Sequence, residues 1–240
     1  LAKPFLSVIV PAYNEERRIG PTLEKLVGFL SAQAYGWEVI VVENGSDDDT
    51  AEVVSSWAAE VEQLHLESLP TAGKGLAVRH GMLTATGEYR FMCDADMSMP
   101  VEYLKDFLAR MAEGNDVVIG SRQIEGARRF GEPAGRHVMG RVFNWVVRLV
   151  AVVGFQDTQC GFKMFRGDVA EDLFGRQRTT GWGFDVEILY IAKKRGLRIL
   201  EMPIDWYHEP SSKINPVGDS IRMVKDAVLA RWRGIIGAYR

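Results

Sequence analysis

The feature that most constrains this fold is an alternation. Apolar runs rich in β-branched residues take turns with amphipathic runs of helix length: "LSVIVPAY", a helix over about Glu15 to Gln33, "WEVIVVEN", and a helix over about Asp49 to Glu60. "QLHLESL", a helix opening at "GKGLAVRHGM", "EYRFMCDA", a helix through "VEYLKDFLARM" and "DVVIGSR" continue it. Strands that are apolar on both faces are buried on both, and a strand-helix-strand order builds parallel pairs joined by crossover helices. The expected fold is α/β: a Rossmann-like, mostly parallel sheet flanked by helices.

After Arg122 the texture changes. "RQIEGARRFGEPAGRH" is rich in Gly and Arg and reads as a loop, followed by an amphipathic helix "VMGRVFNWVVRLVAVV". Then come "DTQCGFKMF", a helix "GFDVEILYIAKKRG" ended by Gly196, a strand "RILEMPIDWYHE" and a C-terminal amphipathic helix from about Gly218 to Trp232. With no internal repeat or linker, 1–240 is expected to be one domain, whose halves meet near residue 122.

A formal net charge of -3 over 240 residues lacks the basic excess of a phosphate-tracking protein, so no nucleic-acid partner is expected. Cys93 and Cys160 show no metal-ligand spacing and suggest a reducing, cytoplasmic setting. Neither a secretory leader nor a spanning helix is visible, so any membrane contact is expected to be peripheral. Residues 217 to 240 carry five basic side chains (Arg222, Lys225, Arg231, Arg233, Arg240) against Asp219 and Asp226. Such a Trp-bearing helix suits an anionic bilayer, or packs on its own domain through Ile221, Val224, Val228 and Trp232.

In open parallel sheets, ligands bind beyond the carboxyl ends of the strands. Five polar clusters fall there: "PAYNEE", "ENGSDDDT", "TAGKG", "DADMS" and "GSR". Asp94 and Asp96 offer oxygens to Mg²⁺ or Mn²⁺, which bind through one or two carboxylates plus substrate phosphates; the alternative is a turn or helix cap. Lys74, between glycines at a helix start, faces a diphosphate or the metal-side carboxylates, or is solvated. Asn44 and Ser46 read a nucleobase edge, shape a tight turn, or do both.

The motifs "VIVPAYNEE", "VVENGSDDDT", "GKGLAVRHGM", "CDADMS", "VVIGSR", "DTQCGFKMF" and "GWGFDVEILYIAKKRG" together resemble family 2 inverting glycosyltransferases of GT-A fold. Within that family the chain is most similar to the dolichyl-phosphate β-glucosyltransferase and polyprenyl-phosphate sugar synthase branch. The resemblance implies metal-dependent transfer of a hexose, glucose from UDP-glucose, onto a polyprenyl phosphate at the membrane surface. Residues 1–122 become the nucleotide-sugar half and 123–240 the acceptor half. Pro11, Tyr13, Glu15, Asn44, Ser46, Lys74 and Asp94 are implied to bind the donor, with Asp94 and Asp96 at the metal. Arg122, Arg141 and Lys213 are implied to bind the acceptor, and Asp96, Arg122 and Asp157 to form the catalytic set.

Two departures bear on this. Glu43-Asn44 stands where relatives often carry Asp-Asp, and Ser98 where some carry a longer metal-binding side chain. Mannosyl transfer from GDP-mannose and a non-catalytic nucleotide-sugar binding subunit are the alternatives. A sugar nucleotidyltransferase is disfavoured, because "PAYNEE" occupies the place of a Gly-rich loop. Asp157 orients an arginine or touches the sugar; of Asp185 and Glu187, one turns toward the site, or both are structural.

Overall fold

The computed structural model describes residues 3–131, 154–209 and 218–239. The elements are β1 (Leu6–Ala12), α1 (Ile19–Ser31), β2 (Trp37–Asn44), α2 (Thr50–Glu60), β3 (Leu64–Leu69), α3 (Lys74–Thr84), β4 (Tyr89–Met92) and α4 (Tyr103–Ala112). They continue with β5 (Val117–Ser121), β6 (Arg128–Phe130), β7 (Lys163–Arg166), α5 (Gly167–Arg176), α6 (Phe184–Lys194), β8 (Ile199–Pro203), β9 (Asp205–Tyr207) and α7 (Gly218–Ile235). The sequence-expected helix "VMGRVFNWVVRLVAVV" lies outside the described residues, as do Arg141 and Lys213.

A seven-stranded sheet runs in the order β3-β2-β1-β4-β7-β5-β8. Every pairing in it is parallel except those of β7, which is antiparallel to both β4 and β5. The α/β expectation therefore holds, with one strand added that the alternation does not announce. β7 and β8, from the second half of the chain, complete the sheet begun by the first.

Side-chain alternation along each strand splits the core between the two faces. Val8 and Val10 of β1 pack with Leu23 and Leu26 of α1 and Phe107 of α4. Ile9 faces the other way, with Val78 of α3, Leu173 of α5 and Leu189 of α6. Helix boundaries follow local chemistry. α1 starts at Ile19 rather than Glu15, because Arg18 and Ile19 donate their amides to the Glu15 carbonyl and make a turn of those residues. α6 stops as anticipated at Gly196, whose φ of +70° is readily adopted only without a Cβ.

Two other expectations need correction, and one helix has no counterpart in the sequence reading. "GDVAEDLFGR" forms α5, which buries Val169, Leu173 and Phe174. "RILEMPIDWYHE" is two strands: Ile204 donates its amide to Ser121 O as β8 ends, and the chain then leaves the sheet as β9. β9 pairs in parallel with β6, inside the stretch read as loop, and Phe130 stacks on Tyr207 at 4.7 Å.

Candidate active site

Strand register builds the site. β4 pairs with β1 only as far as Met92 opposite Ile9, while β1 runs on to Ala12, so the chain leaves the sheet edge carrying Asp94 and Asp96. Met97 closes this turn with φ +43°, uncommon for a residue with a Cβ, and donates its amide to the Asp94 carbonyl. From α1, Thr22 Oγ1 donates to Ala95 O at 2.7 Å and anchors the turn from below. β7 enters from the opposite direction with Lys163 paired to Met92 and Ile119, which brings Asp157 to Gly161 to the same edge.

Lys74, the first residue of α3, lies 2.6 Å from Asp94 Oδ1 and 5.0 Å from the centre of the Trp182 ring. Burial pulls the Lys74 ammonium down, but Asp94 at contact, with Asp185 and Asp96 farther off, outweighs it and leaves the pKa above its ordinary value. For Asp94, burial pushes the carboxyl up; Lys74, then Lys163 and Arg122, reverse that and hold it below the usual range. Among the described residues Asp96 has no cation at contact: burial and the Asp94 charge raise it to about 6, against a hydrogen bond from Ser98 N at 3.1 Å and the more distant charges of Lys74 and Arg18.

Two more ion pairs border this centre. Arg122 donates to Asp157 through Nε at 2.7 Å, through a terminal nitrogen at 2.9 Å and through its own amide at 3.0 Å. Burial raises the Asp157 carboxyl, but this arginine dominates and holds it at about 2. Asp157 is thus enclosed beneath Arg122, whose side chain keeps 20% exposure and lies over the Trp206 ring at 5.5 Å. Lys163 Nζ, fully buried, donates to Asp185 Oδ1 at 2.6 Å and to the Cys160 carbonyl.

The residues expected to meet the donor's nucleoside occupy the β1 and β2 ends. Pro11 is buried in β1 opposite Val42, and Tyr13 is partly exposed. The two loops are fastened together: Asn14 N donates to Ser46 Oγ at 3.0 Å, Asp47 N to Asn14 Oδ1 at 2.8 Å, and Glu15 N to Thr50 Oγ1 at 2.7 Å. Ser46 therefore shapes the turn, and the Glu15 carboxylate is held by Arg18 at 2.6 Å. Asp48, not Asp49, accepts the Thr50 amide at the start of α2. Asn44 is buried with Oδ1 lacking a hydrogen-bond partner among the described residues, as do Thr158 Oγ1 and Gln159 Nε2 in "DTQC".

Asp185 and Glu187 part company. Asp185 joins the charged row through Lys163. Glu187 is fully buried and accepts from Arg178 N at 2.9 Å, Thr179 N at 2.7 Å and Tyr239 Oη at 2.6 Å, tying the 178–182 segment to the C-terminus. That segment in turn accepts the Leu76 amide at Thr180 O and leaves no room for a Cβ on Gly75, which fixes the start of α3. Between Thr180, Trp182 and α7 lies a cavity of about 370 Å³. Lys163, Gly161 and Trp182 are site residues to which the sequence reading assigned no role. Neither thiol is poised to react: Cys93 and Cys160 are free and buried, and burial pushes the latter to about 12.

Paired cations and carboxylates thus gather at the carboxyl edge of the sheet, the edge at which open parallel sheets bind their ligands. The chain belongs to glycosyl transferase family 2, whose family model matches residues 7–174. It is a glycosyltransferase of GT-A fold. It is 35% identical to a dolichyl-phosphate beta-glucosyltransferase of Trichomonas vaginalis over 93% of this chain and 70% of that protein. Proteins of the same description from Dictyostelium discoideum (34%, covering 98% and 76%) and Homo sapiens (32%, covering 98% and 77%) also match. Among solved structures, glucosyl-3-phosphoglycerate synthase from Mycobacterium tuberculosis, crystallised with Mn²⁺, UDP-glucose and phosphoglyceric acid, superposes with a TM-score of 0.69. It is 20% identical and the match covers 96% of this chain and 80% of that one.

Proposed function

We propose that this enzyme transfers glucose from UDP-glucose to a polyprenyl phosphate of the dolichyl type, with inversion and with a divalent cation, Mg²⁺ or Mn²⁺. The similarity to dolichyl-phosphate beta-glucosyltransferases over most of the chain supports the sugar and the acceptor. The observation that carries the chemistry is the state of the carboxylates. Asp157 and Asp185 are each bound to a cation, Arg122 and Lys163, and neither is arranged as a general base. A sugar hydroxyl acceptor needs a base to take its proton, whereas a phosphomonoester arrives ionised near neutral pH, with a second pKa of ~6.

Asp96 fits a divalent cation. Its carboxyl is partly buried, raised first by that burial and then by the Asp94 charge, and accepts the Ser98 amide, so a positive charge there would relieve the repulsion, with Asp94 completing a two-carboxylate donor set. When bound, the cation neutralises charge on the leaving diphosphate. Lys74 lies beside it to hold the same diphosphate, with the Trp182 ring 5.0 Å from its ammonium. Arg122, fixed by Asp157, presents a guanidinium to the incoming phosphate, whose oxygen it aligns behind the anomeric carbon. Pro11, Tyr13, Glu15, Asn44 and Ser46 surround the nucleoside. Arg141 and Lys213 are proposed as further acceptor contacts.

This reading places the enzyme at a membrane surface, at its cytoplasmic face. No helix among the described residues is long and apolar enough to cross a membrane. Transfer of labelled glucose from UDP-glucose to a short-chain polyprenyl phosphate, with Mn²⁺ or with chelator, tests it. Lipid-extractable label that requires both the cation and Asp96 is expected. Label only from GDP-mannose would replace the donor, and tight nucleotide binding without transfer to any acceptor would overturn the catalytic reading.

A further inference from the structure

α7 is amphipathic in an unusual sense. A helix on the surface of a globular domain normally turns its polar face outward. Here Met223, Ala227 and Ala230 face the domain, and Gly183 and Gly234 approach so closely that a Cβ on either would collide with Asp226 or Tyr190. Small residues thus bring the helix hard against the rest of the domain. Its opposite face is apolar and uncovered: Ile221 is 67% exposed, Trp232 56% and Ile235 69%, with Val228 and Ile236 in the same stripe. Of the side chains that the sequence offered for packing on the domain, Ile221, Val228 and Trp232 are therefore not used for it.

Among the described side chains of α7, the charges around the stripe are of one sign. Lys225 lies within it and Arg222 and Arg231 flank it, all exposed, while Asp226 turns inward toward Gly183. Long cationic side chains can lay their stems along an apolar surface and lift their charges to the headgroup level, and Trp favours the same boundary. A second copy of the chain would set these cations against one another. An anionic surface would pair with them.

We infer that the Ile221, Val228, Trp232, Ile235 face of α7 docks on an anionic lipid bilayer, with Lys225, Arg222 and Arg231 at the level of the lipid phosphates. The inference deepens the proposed function and rests on it for the presence of a membrane-borne acceptor. The same helix connects to the donor site. Its flank from Arg222 and Lys225 to Asp226 and Leu229 lines the cavity that Trp182 shares, and Arg233 reaches Glu187, which holds the segment bearing Trp182 above Lys74. Docking at this face would bring that cavity to the bilayer boundary.

The test is co-sedimentation with vesicles of phosphatidylcholine alone and of phosphatidylcholine with about a third phosphatidylserine. Wild type, Trp232→Ser/Ile235→Ser and Lys225→Glu are compared, each checked for folding by circular dichroism. Binding to the anionic vesicles is expected, weaker by at least about tenfold in the double variant, weakened in Lys225→Glu and reduced by salt. Equal binding of all three proteins, or no binding to either vesicle, would overturn the proposal. So would a concentration-dependent dimer in sedimentation velocity that the double variant abolishes. Transfer to a water-soluble short-chain acceptor separates the two readings. If it persists without vesicle binding, only the docking face is wrong; if vesicle binding holds without transfer to any acceptor, the proposed function is wrong.

Discussion

Gly161 and Asp94 approach so closely that a Cβ at position 161 would lie 1.8 Å from Asp94 Oδ2. The other oxygen of that carboxylate holds Lys74 at 2.6 Å, so any side chain at 161 must push Asp94 off the lysine. Position 161 sits just before β7, buried between the core residues Cys160 and Phe162, but the atoms nearest a Cβ there are those of the Asp94 carboxylate, so the clash falls on that side chain rather than on the core. Gly161→Ala is expected to keep the circular dichroism spectrum and lower kcat/KM by about 100-fold, the usual penalty of misplacing a catalytic group by about 1 Å. Steady-state kinetics with saturating acceptor would check it; unchanged kinetics would show that the pair does not position the donor.

Asp96 makes a prediction about pH. Its carboxyl is raised from 3.8 to about 6, first by burial and then by Asp94, so the folded protein holds this proton more tightly than the unfolded chain does. The stability contributed by the protonated form is fully present below the unfolded value and lost as pH rises through about 6. In chelator, the Tm of wild type should therefore fall relative to that of Asp96→Asn between pH 4 and 7. At pH 7.5, Mn²⁺ should raise the Tm of wild type and not of the variant, because only the carboxylate binds it. Differential scanning fluorimetry in both conditions reads both effects, and parallel curves would rule out the environment assigned to Asp96.

Arg122 and Asp157 carry the acceptor side. Replacing Arg122 by Lys keeps the charge but loses the two-nitrogen fork that grips Asp157, and with it the fixed guanidinium whose remaining edge is offered to the phosphate. The variant is expected to raise the acceptor KM at least tenfold while the donor KM moves little. Asp157→Asn removes a carboxylate held at about 2 and leaves a buried guanidinium short of its partner, at a cost of about 3–5 kcal/mol. Since the Asp157 pKa is depressed, its contribution is present above the ordinary carboxylate range and lost as pH falls toward 2, so the gap between variant and wild type should close under acid. Urea melts at neutral and acidic pH measure this.

The sequence shows the first five strands because parallel strands write continuous apolar runs and their crossovers write helical ones. It hides β7 because four residues, "KMFR", carry too short a pattern, and their place depends on Met92 and Ile119, far away in the chain. β6 and β9 have three residues each and charged members, so only their mutual pairing makes them strands. Asp94, Asp96 and Lys74 were legible as chemistry, since paired carboxylates and a glycine-flanked lysine at strand ends call for an anionic or cationic ligand. The Lys74–Asp94 pairing was one of the partners open to that lysine; the close fit of Gly161 against the same carboxylate was not legible, because Gly161 arrives just before β7 from far along the chain. The outward apolar face of α7 was only half legible: helical spacing marks a stripe, and says nothing of which side of the helix the domain takes.

A lysine opening an apolar strand is itself a signal that a buried counter-charge exists, and Asp185 answers Lys163 at 2.6 Å with both side chains almost wholly enclosed. Taking two charges out of water costs several kcal/mol per ion, so the pair is a poor device for stability alone. Its position suggests another purpose: Lys163 lowers the Asp94 carboxyl, and Asp185 supports the charge on Lys74. Lys163→Met is expected to destabilise the fold by about 3–5 kcal/mol, because it strands a buried carboxylate. The double variant Lys163→Met/Asp185→Leu should recover most of that loss, giving a coupling energy of about 2–3 kcal/mol in a double-mutant cycle of urea melts. If the pair serves the donor site, the recovered fold should still show a raised UDP-glucose KM, since Lys74 and Asp94 have lost the charges that bias them. A double variant that regains stability and wild-type KM together would make the pair purely structural.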